Sequence, residues 1–291
     1  MEHVTLIRRP RLRRPVLLAA FDGWNDAGES ATTAIDAIGA ALDAVTFATV
    51  DPEEFYDFQA TRPTVRLVEG LRQVDWPMVE LRAAELPQAD HDLILLRGHE
   101  PNLRWRTFAT EVMEVAASLG VEMVVTVGAL LADVPHTRPT QVVSSTSDPL
   151  LGEQLGLPVS RYEGPTGILG VLSDAAARAG IPAVGLWAAL PHYLHLAPNP
   201  WGAMALIEEL GRLLPVAVDT SGLAGQTQAF DAAVTDLLDE NPELTGYVER
   251  LEADADDADD PPGLADLPPE ELVAEVERYL RDHPGGSRGE R

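Results

Sequence analysis

The sequence contains neither cysteine nor lysine, so all 21 of its Lys+Arg positions are arginine. The absence of cysteine excludes disulfide bonds, thiolate zinc sites and cysteine nucleophiles. The absence of lysine excludes Schiff-base chemistry and the phosphate-binding lysine of P-loops. Many ligases hold nucleotide phosphates with lysines, and an ATP-dependent ligase is therefore disfavoured.

Positive charge is scarce as well, since the formal net charge of the 291 residues is −26. Such a surface repels a phosphate backbone, and no nucleic-acid partner is expected. The one basic segment, residues 8–14, is interpreted as a solvated strand lead-in that pairs with acidic surface elsewhere. The apolar run after it, residues 16–21, is far too short for a membrane span or a signal sequence. The composition therefore indicates a cytoplasmic protein with no membrane partner.

Short apolar runs alternate with helical patterns over residues 1–218, which predicts one α/β core domain. Strands are predicted at residues 16–21, 47–50, 92–96, 121–131 and 183–189, with 121–131 in the centre of the sheet. Residues 64–68 and 78–81 are predicted to pair as a β-hairpin. A helix over residues 166–179 is closed by Gly180, and another begins after Asn199 with Pro200 in its first position.

The composition changes after residue 218. Two helical patterns separated by Asn241-Pro242 predict a helical hairpin over residues 219–251. Residues 252–269 are acidic and rich in proline, which predicts a disordered linker. Residues 270–291 are predicted to form an amphipathic helix and a tail. Because so short a helix is marginal alone in water, we expect it either to dock, on the protein itself or on a partner, or to remain largely unfolded.

Four loops follow or flank the predicted strands, at residues 21–28, 134–139, 163–167 and 190–193. In an open α/β sheet such loops gather outside the carboxyl ends of the strands, where ligands or partners bind. The candidate ligand or partner residues in these loops are Asp22, Trp24, Asn25, Asp26, His136, Arg138, Thr166, His192 and Tyr193.

The first loop predicts helix capping more than cofactor binding. Asp26 and Glu29 have the spacing of a capping box, and the loop glycines permit a tight turn. The three-glycine fingerprint of dinucleotide sites is absent, so no cofactor is expected. Asp22 and Asn25 remain candidates for ligand contacts.

The other loops leave alternatives open. His136 and His192 each follow a proline and, with Asp22, could form an acid–base or metal site, although no metal-binding spacing supports one. Arg138 suits a carboxylate or phosphate ligand, or a structural ion pair. Thr166 opens a helix, either as an ordinary N-cap or as part of an anion site. No catalytic residue and no metal ligand is assigned on this basis.

Five stretches in this order resemble the proteasome assembly chaperone two family, in its actinobacterial form. They are residues 21–28 (FDGWNDAG), 51–58 (DPEEFYDF) with Arg62-Pro63, 128–138 (GALLADVPHTR), 164–168 (GPTGI), and 191–193 (PHY) with Pro198-Asn199-Pro200. The resemblance implies a phosphorylase/hydrolase-like three-layer α/β fold with a mixed, mostly parallel sheet. It also implies a homo-oligomer, with a trimer as the candidate assembly. Eukaryotic and archaeal relatives help to assemble proteasome rings or bind them.

Two functional hypotheses follow. The first is a non-enzymatic oligomeric scaffold or chaperone that binds protein partners, with proteasome subunits as candidates. Aromatic residues near loops are candidates for the interface between copies, namely Trp24, Phe55, Tyr56, Phe58 and Trp105. The alternative is a small-molecule hydrolase or phosphorylase-like transferase in the strand-end cleft. That alternative requires several side chains to converge in one pocket, namely Asp22, Asn25, His136, Arg138, Thr166 and His192.

Overall fold

The computed structural model describes residues 1–194 and 198–257. The main sheet of this described chain has eight strands in the order β1-β3-β6-β7-β2-β8-β10-β9. These strands are β1 (Val4–Leu6), β2 (Val16–Asp22), β3 (Val45–Val50), β6 (Val79–Ala84), β7 (Leu93–His99), β8 (Met123–Ala132), β9 (Val142–Ser145) and β10 (Ala183–Pro191). The inner strands β7, β2, β8 and β10 are parallel, and the strands flanking them are antiparallel.

Helices cover both faces of the sheet. The helices of the described chain are α1 (Ser30–Ala41), α2 (Trp105–Leu119), α3 (Pro149–Leu155), α4 (Ile168–Arg178), α5 (Pro200–Leu213), α6 (Ala224–Glu240) and α7 (Pro242–Asp257). Helices α1 and α5 pack together on one face, and α2 and α4 pack together on the other. The predicted three-layer α/β fold with a mixed sheet and a C-terminal helical hairpin is thereby confirmed.

Strand β2 shows why the apolar runs predict buried strands. Its side chains alternate between the two faces, because successive residues of a strand point in opposite directions. Leu17 and Phe21 join the core beneath α2 and α4, whereas Leu18 and Ala20 join the core beneath α1 and α5. A strand covered on both faces carries apolar residues at every position.

The predicted hairpin of residues 64–68 with 78–81 is wrong. The strand β4 (Thr64–Val68) pairs instead with β5 (Leu71–Asp75), and together they form a separate two-stranded sheet. Residues Glu69 and Gly70 have φ values of 52° and 82°, as a two-residue hairpin turn requires. Strand β5 was missed because its polar residues and the turn before it resemble a loop.

The predicted helix ends at Gly180 and Asn199 agree with the structure. Gly180 follows α4 with a φ of 72°, the left-handed conformation expected after a helix. The Asn199 side chain accepts hydrogen bonds from the backbone N–H groups of Trp201 at 3.1 Å and Gly202 at 3.3 Å. Asn199 therefore caps α5, and Pro200 occupies the first position of that helix.

The helical hairpin of α6 and α7 packs against the end of β10. Tyr193 and Leu194 form a small core with Phe230 of α6 and Val248 of α7. Helix α7 runs through residues 252–257, which had been predicted as linker. Residues 258–269 of that linker, and the predicted helix and tail at 270–291, lie outside the described residues, so the proposed division into four segments stays a prediction.

Two further findings concern the surface. The basic segment lies against acidic residues as expected, with Arg13 2.9 Å from Asp92 and Arg14 3.0 Å from Glu122. Among residues 1–194 and 198–257, no helix has the length and apolarity needed to cross a membrane.

Candidate functional site

The strand-end candidates form two separate groups. Asp22, Trp24, Asn25, Asp26 and Thr166 line a cleft of about 960 Å³. The second group lies beside the α6–α7 hairpin and is absent from the lining of this cleft, namely His136, Arg138, His192 and Tyr193. The six side chains of the enzyme hypothesis therefore do not converge in one pocket.

The mouth of the cleft carries a histidine–carboxylate pair. Asp22 ends β2, His99 ends β7, and the two residues are partners across these parallel strands. His99 Nδ1 lies 2.5 Å from Asp22 Oδ1, and the Arg97 guanidinium lies 3.7 Å from the other carboxylate oxygen. The side chains of Asp22 and His99 are 23% and 46% exposed, so both reach solvent. A carboxylate on Nδ1 fixes the imidazole ring and leaves Nε2 as the nitrogen available to a ligand.

Sequence reasoning missed Arg97, His99 and Glu100. The predicted strand stopped at Leu96, although β7 continues to His99. The signal was present, because charged residues directly follow a fully apolar run. The intervening Gly98 obscures this signal in the sequence. A glycine is required at position 98 because a Cβ would lie 2.6 Å from the carbonyl oxygen of Met78.

Glu100 joins two of the strand-end loops. Its Oε1 accepts hydrogen bonds from the Asn25 side chain at 2.7 Å and from the backbone N–H of Ile168 at 2.8 Å. Burial raises the pKa of Glu100. Ile168 is the first residue of α4, so the protein's own carboxylate occupies the positive end of that helix.

Thr166 performs neither of its two predicted roles. The residue before α4 is Gly167, and no side chain of the cap position bonds to the helix N-terminus. Thr166 is exposed at the cleft rim. The prediction that Thr166 is an ordinary N-cap is therefore wrong, and the predicted anion position is filled by Glu100.

Asp26 stabilises the fold at the floor of the first loop. Its carboxylate accepts hydrogen bonds from the N–H groups of Ala31 at 2.6 Å and Thr32 at 3.1 Å, and from the Thr32 hydroxyl at 2.5 Å. Burial raises its pKa to about 6, although these hydrogen bonds lower it. The predicted capping box is wrong, because a tight turn over residues 27–29 delays α1 to Ser30 and leaves Glu29 without a capping bond.

In the second group, His136 and Tyr193 are hydrogen-bonded to each other. The Tyr193 hydroxyl accepts from the His136 backbone N–H at 2.8 Å and lies 2.8 Å from His136 Nδ1. Burial lowers the pKa of His136 and raises that of Tyr193 to about 12. A neutral imidazole can therefore accept a hydrogen bond from the hydroxyl, and the pair serves as a packed, hydrogen-bonded joint.

Arg138 and His192 connect this joint to helix α7. The Arg138 guanidinium donates to both carboxylate oxygens of Asp256, at 2.9 and 2.8 Å. His192 Nδ1 lies 2.9 Å from Asp133, which also accepts a 3.2 Å hydrogen bond from Tyr247 of α7. Of the two predicted roles of Arg138, the structure shows the structural ion pair. In the described part of the chain, no group of histidine and acidic side chains has an arrangement that could hold a metal ion.

The aromatic residues predicted at an interface are largely used within the chain. Phe55 and Tyr56 are buried, and Phe58 packs edge-to-face on Trp76 with ring centroids 4.8 Å apart. Trp105 packs against the core. Exposed apolar side chains gather instead on the β4–β5 hairpin, where five of them are between 41% and 76% exposed, namely Val65, Leu67, Val68, Leu71 and Val74.

Comparison with protein families places these features in a known group. Residues 20–238 match the PAC2 family. The chain belongs to the PAC2 family. This match spans every strand from β3 to β10 and most of the α6 helix of this PAC2 protein. The predicted resemblance is thereby confirmed.

Solved structures support the same assignment. A PAC2 family protein from Streptomyces avermitilis is 45% identical, with a TM-score of 0.75 over 80% of this chain and 99% of that chain. A Mycobacterium tuberculosis proteasome-assembly chaperone homologue is 43% identical, with a TM-score of 0.72 and the same coverage of both chains. PbaB of Pyrococcus furiosus, an archaeal proteasome activator, shares only the fold, at 17% identity and a TM-score of 0.66 over 81% of this chain and 99% of that chain. A comparison with curated proteins gives no match.

Proposed function

We propose that this PAC2 family protein is a non-enzymatic, oligomeric scaffold or chaperone that binds protein partners in the cytoplasm, proteasome subunits among them. The relative from M. tuberculosis, which is 43% identical, is a proteasome-assembly chaperone homologue. Four of the nine strand-end candidates lie beside the α6–α7 hairpin and not in the cleft, as the Arg138–Asp256 pair illustrates. This supports an assembly role for the strand-end region over a catalytic one.

The observation that carries the proposal is the exposed β4–β5 hairpin. Val65, Leu67 and Val74 lie on one of its faces, and Val68 and Leu71 lie on the other. Exposed apolar patches of this kind mark surfaces for protein association. Both edges of the two-stranded sheet also leave backbone groups unpaired within the described sheet.

The occupant that best fits the hairpin is a second copy of this chain. Two copies that each carry a net charge of −26 repel one another over most of their surfaces. Residues 64–75 hold two arginines, one glutamate and one aspartate, and therefore have no net charge. Apolar and locally neutral, this hairpin is a place where copies can meet without close contact between like charges.

Self-association is tested by light scattering on the full chain. The wild-type protein is expected to have a multiple of the 31.3 kDa chain mass. Leu67→Glu combined with Leu71→Glu should shift the mass towards one chain, because burying these carboxylates is costly. Gln73→Glu, which adds a charge on the same hairpin at a polar position, is the matched control. A monomeric wild-type protein would contradict the proposal.

Proteasome binding requires a separate experiment. The full chain is mixed with purified actinobacterial proteasome α and β subunits, and ring assembly is followed by native mass spectrometry. We expect a complex with unassembled subunits and faster assembly. Unchanged assembly, together with no stoichiometric partner in a pull-down from a proteasome-bearing lysate, would refute the chaperone role whatever the oligomeric state.

A second candidate function rests on the Asp22–His99 pair. A histidine held by a carboxylate at a cleft mouth is the arrangement of a general base. It supports a small-molecule hydrolase or phosphorylase-like transferase, with His99 in the place predicted for His136 or His192. Turnover of an ester or nucleoside panel that is abolished by His99→Ala but not by His136→Ala would favour this candidate. No turnover by the wild-type protein would remove it.

A further inference from the structure

The cleft has the size and lining of a small-molecule site. Its volume of about 960 Å³ is at the upper end of the range in which proteins bind such ligands. The indole rings of Trp24 and Trp187 contribute to its walls. Hydroxyl groups contribute the largest share of its polar side chains, among them those of Thr61, Thr126, Ser145, Ser147, Ser160 and Ser173.

The acidic side chains of the cleft are mostly satisfied by the protein. Asp26 accepts three hydrogen bonds from the start of α1, and Glu100 accepts two from Asn25 and Ile168. These two buried carboxyls therefore contribute to the wall and do not serve as ligand partners. The groups left at the rim are Asp22, Glu29, Arg97 and His99.

Most charged groups of the rim are already paired with one another or with a neighbouring side chain. Asp22 lies 2.5 Å from His99 and 3.7 Å from Arg97, and the Arg97 side chain also donates to Asp36 at 3.1 Å. An anion would meet Asp22 and the exposed Glu29, and Glu100 already occupies the end of α4. A cation would meet Arg97 and His99. A charged ligand would have to disrupt the pairs that Asp22 and Arg97 already make, whereas an uncharged ligand can hydrogen-bond to these groups as they stand, and an uncharged ligand is therefore favoured.

We propose that this cleft binds an uncharged polyhydroxylated ring, a sugar or a sugar-like molecule. Its hydroxyls donate to the Asp22 carboxylate and accept from Arg97, while the hydroxyl-bearing walls supply groups that both donate and accept. The indole rings cover the apolar faces of such a ring, because tryptophan combines a large apolar surface with a polar edge. This assignment is independent of the scaffold function and of the hairpin that carries it.

Gly185 provides a way to narrow the cleft without disturbing the sheet. It lines the cleft on β10. A Cβ at this position would lie 3.5 Å from the Thr126 hydroxyl and 3.6 Å from Trp187 Nε1, which are ordinary contact distances. Gly185→Ala therefore fills space beside Trp187 and leaves the backbone unstrained.

The charge preference is tested with three probes that share one ring. Glucose is neutral, glucosamine is positive and glucose 6-phosphate is negative, and each is titrated into the full chain by saturation-transfer NMR and tryptophan fluorescence. We expect saturable binding of glucose at millimolar concentrations, weaker binding of glucosamine and none of glucose 6-phosphate. Tighter binding of either charged sugar, or no saturable binding of glucose, would overturn the proposal.

The location is tested with variants. Asp22→Asn should weaken glucose binding about tenfold, because a hydrogen bond to a charged acceptor is replaced by a neutral one. Gly185→Ala should weaken it as well, since it occupies the cleft. Asp133→Asn, beside His192 of the second group and outside the cleft, is the matched control and should bind as the wild type does. Circular dichroism confirms folding of each variant, and equal affinity of Asp22→Asn, Gly185→Ala and wild type would refute the site.

Discussion

The backbone of Gly167 lies against the side-chain amide of Asn25, so closely that no Cβ fits between them. A Cβ on Gly167 would collide with that amide and come within 2.7 Å of Glu100 Oε1. Asn25 is fully buried and donates to Glu100, whose Oε1 also holds the first turn of α4. The contact fixes the first strand-end loop relative to the third and forms one wall of the cleft.

Gly167→Ala is therefore expected to destabilise the protein by about 1–3 kcal/mol, the usual cost of inserting atoms into a packed interior. Gly246→Ala is the control, because a Cβ at that position of α7 meets nothing within 4 Å. The control should stabilise by about 0.5–1 kcal/mol through helix propensity. Urea unfolding measures both, and an unchanged midpoint for Gly167→Ala would contradict the tight contact.

Asp26 makes stability depend on pH. Its pKa is raised from 3.8 to about 6 in the folded state by burial, so the folded protein holds the proton more tightly than the unfolded chain. The raised pKa stabilises the folded state in full when the pH is below the unfolded pKa of Asp26. This stabilisation is lost as the pH rises through about 6, and the loss amounts to about 3 kcal/mol in total. Asp26→Asn removes this dependence. The unfolding free energy of wild type minus that of the variant should therefore fall between about pH 4 and about pH 7, and parallel profiles would show that the Asp26 pKa is not raised.

The Tyr193 hydroxyl makes the hydrogen bonds to His136, and phenylalanine lacks this hydroxyl. Tyr193→Phe leaves the His136 N–H without its 2.8 Å acceptor and should cost about 1–3 kcal/mol. Tyr162→Phe removes a hydroxyl from an exposed side chain and should change stability by no more than about 0.5 kcal/mol. Thermal melts of the two variants distinguish these outcomes, and equal melting temperatures would assign no structural role to the joint.

Deletion of residues 255–291 should leave a cooperative melt. In the described chain every strand precedes residue 192, and the deletion removes the Asp256 partner of Arg138, an exposed ion pair that contributes little to stability. Deletion from residue 219 is the contrasting variant, because it also removes Phe230 and Val248 and exposes the apolar side chain of Leu194. Loss of cooperativity in the shorter deletion would show that the C-terminal segment is part of the core.

The sequence predicted the inner strands and the helix ends at Gly180 and Asn199 well, for physical reasons that are local. Strand β2 is apolar at every position because both of its faces are covered, and Asn199 with Pro200 is a capping signal that needs no distant contact. Strand β5 escaped prediction because its residues pack on little else and are polar at several positions. An exposed hairpin lacks the pattern that burial imposes.

Only some residues of the site were predicted, because the others depend on contacts between distant parts of the chain. Asp22 was identified because its loop contains several polar residues after a buried strand. Its partner His99 was not, since the pairing depends on which strand lies beside β2, and that order is set by the whole sheet. His136 and His192 looked equivalent to Asp22 along the chain. The α6–α7 hairpin then covers them, and nothing near these histidines in sequence encodes that contact.

Association of copies at the β4–β5 hairpin would make the strand pairing of this hairpin depend on the protein concentration. An isolated two-stranded sheet is at best marginally stable in water, and here an edge-to-face contact between Phe58 and Trp76 and the Arg66–Asp75 ion pair support its base. If copies meet at this hairpin, each copy acts as a ligand for the other, and mass action governs how long the strands stay paired. Amide exchange in residues 64–75 should then slow as the protein is concentrated, while exchange in β7 stays constant. The cell's supply of this chain would thus set how much of the hairpin is ordered at any moment.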